Sequence, residues 1–384
     1  MHKRFEALDI LRGLSVIGMI LVIVPGAWDQ RFNWLNHAEW RGFSLADMIF
    51  PLFLFCVGFS MVLSLNKRIA NKQNVLKHIL IRSILLIAVG LLTALTPDFD
   101  FQKFRIPGVL QRIGLCYLLV GLLIAASSPA NKEGNAAGKK QIKVLLISIG
   151  SIAAFYWIIL NLIPVPTFDL TGYDSEKSWP AFIDRRVFGV NHLWLYGQTN
   201  GVVTYDPEGL LSTLPACINV MAGAIIGVLY KKENKFFNPA YLFILGLILI
   251  LLGWGFDKTG IDLLIKKIWT ISFATLSTGF SLLLFAFIIL TDKKAVSQIY
   301  LPGKVFGANA LLGFIIGMLS GLLIDRPLLK INNEHKSLRE SGFNLFKQIF
   351  DDPQYASFAF SITFLVISFL VLYMLYRKKW YIKL

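Results

Sequence analysis

The sequence predicts an all-α integral membrane protein, a polytopic helix bundle of about ten transmembrane helices with both termini in the cytoplasm. Three observations support this fold class: the apolar composition, a series of long apolar runs, and the division of charge between the segments that connect them. Hydrophobic residues make up 55% of the chain and charged residues only 16%, whereas charged residues approach about a quarter of a soluble domain. A chain this apolar is expected to fold in a bilayer.

Ten apolar runs have the length that a helix needs to cross the hydrocarbon core, about 20 residues. No long polar block interrupts them, so residues 1–384 are predicted to form a single transmembrane domain. The first run contains Asp9 and Arg12 and lacks a clear cleavage site, so it is expected to be a retained span and not a signal peptide. The runs cover approximately residues 8–26, 44–65, 78–96, 107–127, 142–165, 208–230, 239–256, 268–290, 305–324 and 354–376.

Lys and Arg are unevenly divided between the two alternating sets of connecting segments. The set that includes both termini carries 20 basic and 4 acidic residues, and the other set carries 15 basic and 17 acidic residues. By the positive-inside rule the first set is cytoplasmic. This puts a linker at about residues 125–143 in the cytoplasm and the longest loop, about residues 165–207, outside. The net charge of +15 is therefore explained by topology and by attraction to anionic lipid, and it gives no reason to expect nucleic-acid binding.

A polar cluster stands at the outer mouth of the second apolar run. It contains His37, Glu39, Trp40 and Asp47. Because an ionisable group beside hydrocarbon is costly, such a cluster is a candidate functional site. Asp47 could instead cap the helix that begins there, but Ser44 is the better cap by position, which leaves Asp47 to orient the imidazole. Since a neutral imidazole can act as a general base or a nucleophile near neutral pH, acyl transfer fits this cluster.

Further polar residues lie inside apolar runs. Asp9 and Arg12 are three residues apart, so they form either a self-neutralising pair or part of a site for a phosphate-bearing ligand. Gln111 and Arg112 enter the outer third of the fourth span. A buried arginine needs an acid or a ligand anion, and Asp47 is one candidate for that acid.

The remaining candidates have ordinary structural explanations beside the functional ones. Asp206 and Glu208, at the end of the longest loop, suit sugar recognition but could equally cap a helix. Asn309 could serve only as a packing hydrogen bond. His78 and Arg82 are expected to extend toward the cytoplasmic headgroups. The three cysteines fall in apolar runs without disulfide or zinc spacing, so no metal site is expected.

Five stretches of the chain resemble one enzyme family. The two most specific are His-Ala-Glu-Trp at residues 37–40 and Ala-Asp-Met-Ile-Phe-Pro at residues 46–51. With residues 8–13, 105–114 and 205–210 they are similar, in order, to the heparan-alpha-glucosaminide N-acetyltransferase family and its bacterial transmembrane acyltransferase relatives.

The resemblance implies an acetyl-CoA-dependent membrane acetyltransferase. Members move acetyl from cytoplasmic acetyl-CoA to the amino group of an extracytoplasmic amino sugar such as glucosamine, and the family's active-site histidine falls on His37, as base or acetyl carrier. The implied location is the inner membrane of a bacterium. The protein could form a homo-oligomer there. Taken together with the residue patterns above, the resemblance predicts catalysis by His37 and Asp47, substrate binding by Glu39, Trp40, Asp206 and Glu208, and cofactor binding by Arg12, Gln111, Arg112 and Asn309.

Two alternatives stay open, one from the residues and one from a departure from the family's pattern. A transporter or flippase would use charged residues in helices broken by proline and glycine, namely Asp9, Arg12, Asp47 and Arg112, as a translocation path. A catalytically weakened relative that binds CoA is suggested by Ile23, where many members of the family have an asparagine. The loss of that amide removes a donor that could stabilise a developing oxyanion.

Overall fold

The computed structural model describes residues 5–96, 99–128, 135–292, 298–327, 329–331 and 334–382. The described chain is mainly α-helical, with two short 3-10 helices (Asn33–Leu35 and Val190–His192) and two antiparallel hairpins, β1 (Gln198–Thr199) with β2 (Val202–Val203) and β3 (Leu329–Ile331) with β4 (Glu334–Lys336). The α-helices are α1 (Glu6–Ile23), α2 (Leu45–Ala70), α3 (Val75–Leu95), α4 (Val109–Ser127), α5 (Asn135–Asn161), α6 (Trp179–Phe188), α7 (Thr213–Lys231), α8 (Pro239–Thr259), α9 (Ile271–Thr291), α10 (Leu301–Ala308), α11 (Ala310–Ile324), α12 (Leu338–Lys347) and α13 (Pro353–Arg377).

The helices account for the predicted membrane spans. In the described part of the chain, eight are long and apolar enough to cross a bilayer, and α10 with α11, bent by 87°, forms a ninth span if the pair is counted as one. Helix α1 coincides with the first apolar run but carries three charged residues, Glu6, Asp9 and Arg12. It is therefore too polar to be counted among these eight helices. The all-α polytopic fold class is confirmed, while the cytoplasmic position of both termini stays a prediction.

The chain separates into two compact units. The first comprises Met1–Ala38, Ser44–Phe53 and Phe287–Lys383, and the second comprises Glu39–Phe43 and Leu54–Ala286. Helices α2 and α9 contribute residues to both, so the units are interleaved along the sequence. The description of residues 1–384 as one domain stays a prediction.

In the first unit, α1 packs closely on α10. A Cβ atom on Gly13 would lie 1.9 Å from the Gly303 carbonyl oxygen, and one on Gly307 would lie 1.8 Å from the carbonyl oxygen of Asp9. Small residues let helix backbones approach in this way inside a membrane. Beside this contact, Val16, Ile20 and Leu372 form an apolar core with residues of α10 and α11.

The second unit contains the two connections that the sequence analysis singled out. The longest loop, about residues 165–207, holds helix α6 and the β1–β2 hairpin. In the predicted linker at about residues 125–143, α4 continues to Ser127 and α5 begins at Asn135, so both of its ends are helical. Residues 129–134 of that linker lie outside the described residues.

Candidate functional site

His37 and Asp47 form a hydrogen-bonded pair in the first unit. The Nδ1 atom of His37 lies 2.8 Å from Oδ1 of Asp47, although ten residues separate them. The Asp47 side chain is fully buried, whereas 39% of the His37 side chain is exposed. The pair thus joins a buried acid to an imidazole that reaches the surface of its unit.

Helix α2 fixes the acid of this pair. The other carboxylate oxygen of Asp47, Oδ2, accepts hydrogen bonds from the Ser44 amide at 2.9 Å, the Ser44 hydroxyl at 3.0 Å and the Ala38 amide at 3.2 Å. A carboxylate at the third position of a helix that bonds back to the residue before the helix forms half of a capping box. Asp47 therefore orients His37 with one oxygen, as the sequence analysis expected, and with the other it also takes part in capping α2, a role that the sequence analysis had set against the first.

This arrangement sets the tautomer of the imidazole. Because three donors point at Asp47 Oδ2, the carboxylate acts as an acceptor, and Nδ1 of His37 carries the proton in their shared bond. A neutral His37 then has its lone pair on Nε2. Such a pair can accept a proton at Nε2 while the buried carboxylate stabilises the resulting imidazolium.

Trp40, three residues after His37 in the chain, belongs to the second unit, where it packs against Tyr205. Their ring centroids are 5.1 Å apart in an edge-to-face arrangement, and the Trp40 indole N–H donates to the Tyr173 carbonyl at 2.8 Å. The Lys267 ammonium lies 5.5 Å from the Tyr205 ring centroid. Burial, and then the charge of Asp206, raise the pKa of Tyr205 to about 12. Trp40 thus has a fixed orientation, while Glu39 beside it is exposed.

Arg105 holds two of the acids that the sequence analysis assigned to substrate binding, Asp206 and Glu208. It donates to the two carboxylate oxygens of Asp206 at 2.8 and 2.5 Å and also to Glu208. Asp206 accepts two further bonds, from the amides of Trp194 at 2.8 Å and Glu208 at 2.9 Å. Burial opposes the charge of Arg105, but Asp206 and Glu208 outweigh it and raise the pKa of the guanidinium. Through these hydrogen bonds Asp206 holds its own segment of the chain in place. Arg105 is a site residue that the sequence analysis missed.

Replacing Arg105 with glutamine is expected to lower the free energy of unfolding by about 3 kcal/mol, because it leaves two buried carboxylates without their cation. Thermal unfolding of the purified protein in detergent measures the effect. Arg186→Gln is the matched control, since Arg186 is exposed on α6 and a surface change of this kind costs about 0.5 kcal/mol or less. Equal melting temperatures for the two variants would show that the ion pairs contribute nothing to stability.

Arg112 and Gln111 occupy the start of α4. The Arg112 side chain is fully buried, donates to the Gly209 carbonyl at 3.1 Å and to the Ser212 hydroxyl, and lies with its guanidinium carbon 5.0 Å from the Trp269 ring centroid. These partners replace the Asp47 carboxylate that the sequence suggested. Among the described residues, the Nε and Nη1 atoms of Arg112 are buried without a hydrogen-bond partner. Gln111 is buried.

Asp184 on α6 approaches the same segment, and the sequence analysis did not rank it. Its Oδ1 accepts from the Leu210 amide at 2.8 Å, and a Cβ atom on Gly209 would lie 1.8 Å from its Oδ2. Within the described chain Oδ2 has no hydrogen-bond partner. Burial raises the pKa of Asp184 to about 7, even though the Leu210 amide and the charge of Arg112 act in the opposite direction. No local pattern marks this acid, because its partners lie 25 or more residues away in the chain.

The raised pKa of Asp184 predicts a pH-dependent stability. An unfolded aspartate titrates near pH 3.9, so between about pH 4 and pH 7 the folded protein binds a proton that the unfolded chain has released, and stability falls as the pH rises through this window. Asp184→Asn is therefore expected to be stabilising relative to wild type, by on the order of 2 kcal/mol more at pH 8 than at pH 5.

Unfolding followed at several pH values checks this expectation. Asp169→Asn, which removes an exposed acid from the same loop, is the control and is expected to run parallel to wild type. An Asp184→Asn curve that is parallel to wild type across the same range would contradict the assignment.

Arg12 and Asn309, the other two proposed cofactor ligands, lie in the first unit. Arg12 donates to Asp9 at 3.2 Å and to the Gly307 carbonyl at 3.3 Å, as expected for a self-neutralising pair. Asn309 stands at the break between α10 and α11, where its side chain donates to the Trp380 carbonyl at 3.0 Å and accepts from the Ile382 amide at 2.9 Å. The amide of Asn309 thus holds the C-terminal segment.

The chain is similar to known proteins that share one name. Residues 4–161 match the family model described as "Heparan-alpha-glucosaminide N-acetyltransferase, catalytic". Proteins named heparan-alpha-glucosaminide N-acetyltransferase from Mus musculus and Homo sapiens are each 28% identical to the chain over 354 residues, or 82% and 81% of its length. This chain is similar to the heparan-alpha-glucosaminide N-acetyltransferases over most of its length. The resemblance suggested by the sequence motifs is confirmed.

The chain spans about half the length of these two relatives, 53% and 52%. The segment that matches the family model contains both members of the His37–Asp47 pair, together with Arg105 and Arg112. Asp184, Asp206 and Glu208 lie beyond it.

Proposed function

We propose that this protein is a membrane N-acetyltransferase that moves acetyl from cytoplasmic acetyl-CoA to the amino group of an extracytoplasmic amino sugar, in the inner membrane of a bacterium. The observation that carries the proposal is the 2.8 Å contact between His37 and the buried carboxylate of Asp47. The contact lies within the segment that matches the family's catalytic model. The names of the relatives support both the acetyl group and the amino sugar.

In a direct transfer His37 acts as a general base. Its Nε2 atom accepts the proton of the acceptor amine as the amine nitrogen attacks the acetyl carbon, the carbon–sulfur bond breaks, and the proton passes from the imidazolium to the CoA sulfur. In a two-step transfer Nε2 itself attacks the acetyl carbon, the carbon–sulfur bond breaks and CoA leaves as a thiolate. The amine then takes acetyl from Nε2 and releases a proton, which balances the proton that the thiolate takes up. In both routes Asp47 holds the ring and stabilises its positive charge.

Aromatic and acidic residues of the second unit suit the acceptor. Trp40, which packs on the buried Tyr205, presents apolar ring surface held by hydrogen bonding and packing, and Glu39 and Glu208 can accept hydrogen bonds from hydroxyl or ammonium groups. Asp206 supports this region through Arg105. For the donor, Arg112 and Gln111 on α4 and Arg12 on α1 are proposed ligands, while Asn309 is proposed only if the C-terminal segment is displaced from it.

The test uses protein reconstituted in liposomes with labelled acetyl-CoA on one side and a panel of amino sugars, glucosamine first, on the other. We expect labelled N-acetyl product with wild type and background label with His37→Ala. Wild-type transfer equal to His37→Ala across the whole panel would contradict an acetyltransferase. Movement of an unmodified amino sugar in the absence of acetyl-CoA would favour the transporter alternative, and CoA binding without turnover would favour the weakened relative.

Ile23 provides a test of where the acetyl group binds. It is the last residue of α1 and packs against the apolar cluster of Val22, Leu35 and Ala46. Ala46 directly precedes Asp47 in the sequence. Ile23→Asn is expected to raise the kcat of acetyl transfer by about tenfold or more, because a positioned amide can stabilise the developing oxyanion. The measurement is product formation at saturating acetyl-CoA.

Ile23→Leu is the matched control, since it keeps the apolar contact and adds no donor. It is expected to leave kcat unchanged. A folded Ile23→Asn variant with the wild-type rate would show that the acetyl oxygen does not bind near residue 23.

A further inference from the structure

The chain segment between α1 and His37 is hydrogen-bonded to a distant helix of the first unit. The Gly26 amide donates to the Ser357 carbonyl at 3.2 Å, the Ala27 amide donates to the Ser357 hydroxyl at 3.0 Å, and this hydroxyl donates back to the Ala27 carbonyl at 3.2 Å. Ser357 lies near the start of α13 and is 1% exposed. A Cβ atom on Gly26 would lie 2.8 Å from the Ser357 Cα atom, so the two backbones are in close contact. Residues 25–37 are called the His37 loop below.

Arg339, at the start of α12, binds the first residue of the same loop. This arginine is 6% exposed, and it donates to one carboxylate oxygen of Asp325 at 3.1 Å, to the other oxygen of that carboxylate, and to the Pro25 carbonyl. Its guanidinium carbon lies 5.1 Å from the Trp28 ring centroid. Helix α1 ends at Ile23, so the Pro25 carbonyl lies beyond the hydrogen bonds of that helix, and Arg339 provides its donor.

Aromatic rings of α13 pack on the middle of the His37 loop. The Phe358 ring lies edge-to-face against the rings of Phe32 and Trp34, with centroid distances of 5.7 and 5.9 Å. The Tyr355 ring lies edge-to-face against Phe32 at 5.2 Å. Edge-to-face contact is a favourable arrangement of aromatic rings. The loop is thus held by ring packing as well as by hydrogen bonds.

Phe358 also packs beside both members of the catalytic pair. Its side chain contacts the apolar cluster that contains Leu35 and Ala46. Leu35 is two residues before His37, and Ala46 directly precedes Asp47. Because His37 belongs to the loop and Asp47 to α2, their 2.8 Å contact requires a fixed separation between these two segments. A side chain that packs on both segments can set that separation.

We propose that Phe358 and Arg339 are positioning residues for acetyl transfer, which hold the His37 loop so that the imidazole stays bonded to Asp47. Their effect on the rate rests on the proposed function, whereas their effect on the imidazole does not. A catalytic group that is misplaced by about 1 Å can lose about a hundredfold in rate. A loosened loop is therefore expected to slow the reaction although neither residue takes part in it.

The first measurement needs no acetyl transfer. Full-length protein in lipid nanodiscs is labelled with 15N-histidine, and the ring signals of His37 are assigned by their loss in His37→Ala; the chain has five histidines. In wild type the neutral ring is expected to carry its proton on Nδ1, in the bond to Asp47. In Phe358→Ala the Nδ1-protonated form is expected to be lost in favour of the Nε2-protonated form.

The second measurement is the kcat of acetyl transfer per folded molecule, with folding checked by thermal unfolding. Phe358→Ala is expected to lower kcat about tenfold or more. The matched control is Phe364→Ala, which removes a partly buried ring of the same helix that packs against a different apolar cluster, that of Val16 and Ile20. This control is expected to lower stability while leaving kcat and the His37 signals unchanged.

Each outcome decides the proposal. A lower kcat and a changed His37 tautomer in Phe358→Ala, both restored in Phe358→Tyr, support it. Wild-type His37 signals or a wild-type kcat in Phe358→Ala overturn it. If wild type transfers no acetyl, the proposed function fails, and the His37 signals alone still decide whether Phe358 positions the ring. Arg339→Lys keeps the charge but loses the forked donors, so the same changes are expected from it, and it replaces Phe358→Ala if that variant does not fold.

Discussion

Replacing His37 with alanine is expected to lower the kcat of acetyl transfer on the order of 10³-fold, because it removes the group that takes the proton from the amine or carries acetyl. The side chain is 39% exposed, so the fold is expected to survive the change. The measurement is formation of labelled N-acetyl amino sugar, with thermal unfolding recorded on the same preparation.

His335→Ala is the matched control for this prediction. His335 is an exposed histidine of strand β4, and its replacement is expected to leave both rate and melting temperature unchanged. If wild type transfers acetyl and His37→Ala does so at the same rate, both catalytic routes are wrong. Another residue must then accept the proton of the amine.

Replacing Asp47 with asparagine is expected to have two separable effects. The amide cannot stabilise an imidazolium, so kcat is expected to fall on the order of 10³-fold or more. The amide also cannot reproduce all the bonds that the carboxylate accepts from His37, Ala38 and Ser44, so the free energy of unfolding is expected to fall by about 1–3 kcal/mol. Acetyl-transfer kinetics and unfolding in detergent measure the two effects.

Ser44→Ala separates these effects. It removes only the hydroxyl that donates to Asp47 and keeps the Ser44 amide and the His37 contact, so it is expected to lower stability by about 1 kcal/mol while acetyl transfer is little changed. An Asp47→Asn variant that resembles Ser44→Ala in both measurements would show that Asp47 is a helix cap alone.

The helices could be predicted from the sequence because each depends on the hydropathy of consecutive residues. Each of the ten apolar runs coincides with a helix or, for residues 305–324, with the bent pair α10 and α11. Hydropathy along about 20 consecutive residues decides whether a segment can cross hydrocarbon. The break at Asn309 was not predicted, because its amide is satisfied by residues 380 and 382, far along the chain.

The sequence could predict the candidate site only where its residues are close together in the chain. His37 and Asp47 could be associated because both stand at the entrance to one helix, and a cap position explains why a carboxylate is there. Arg105, by contrast, pairs with Asp206 and Glu208 across about a hundred residues, and Asp184 reaches Gly209 and Leu210. No local propensity or spacing encodes such contacts.

The sequence by itself determined the membrane character of this protein, its helices, and the resemblance carried by the motifs around His37 and Asp47. Only the tertiary structure decided that Asp47 both caps α2 and binds His37, that Arg105 neutralises Asp206 and Glu208, and that Arg339 binds Asp325. The physical reason is that burial in hydrocarbon is a property of a segment, whereas the partner of a buried charge is fixed only when distant segments pack together.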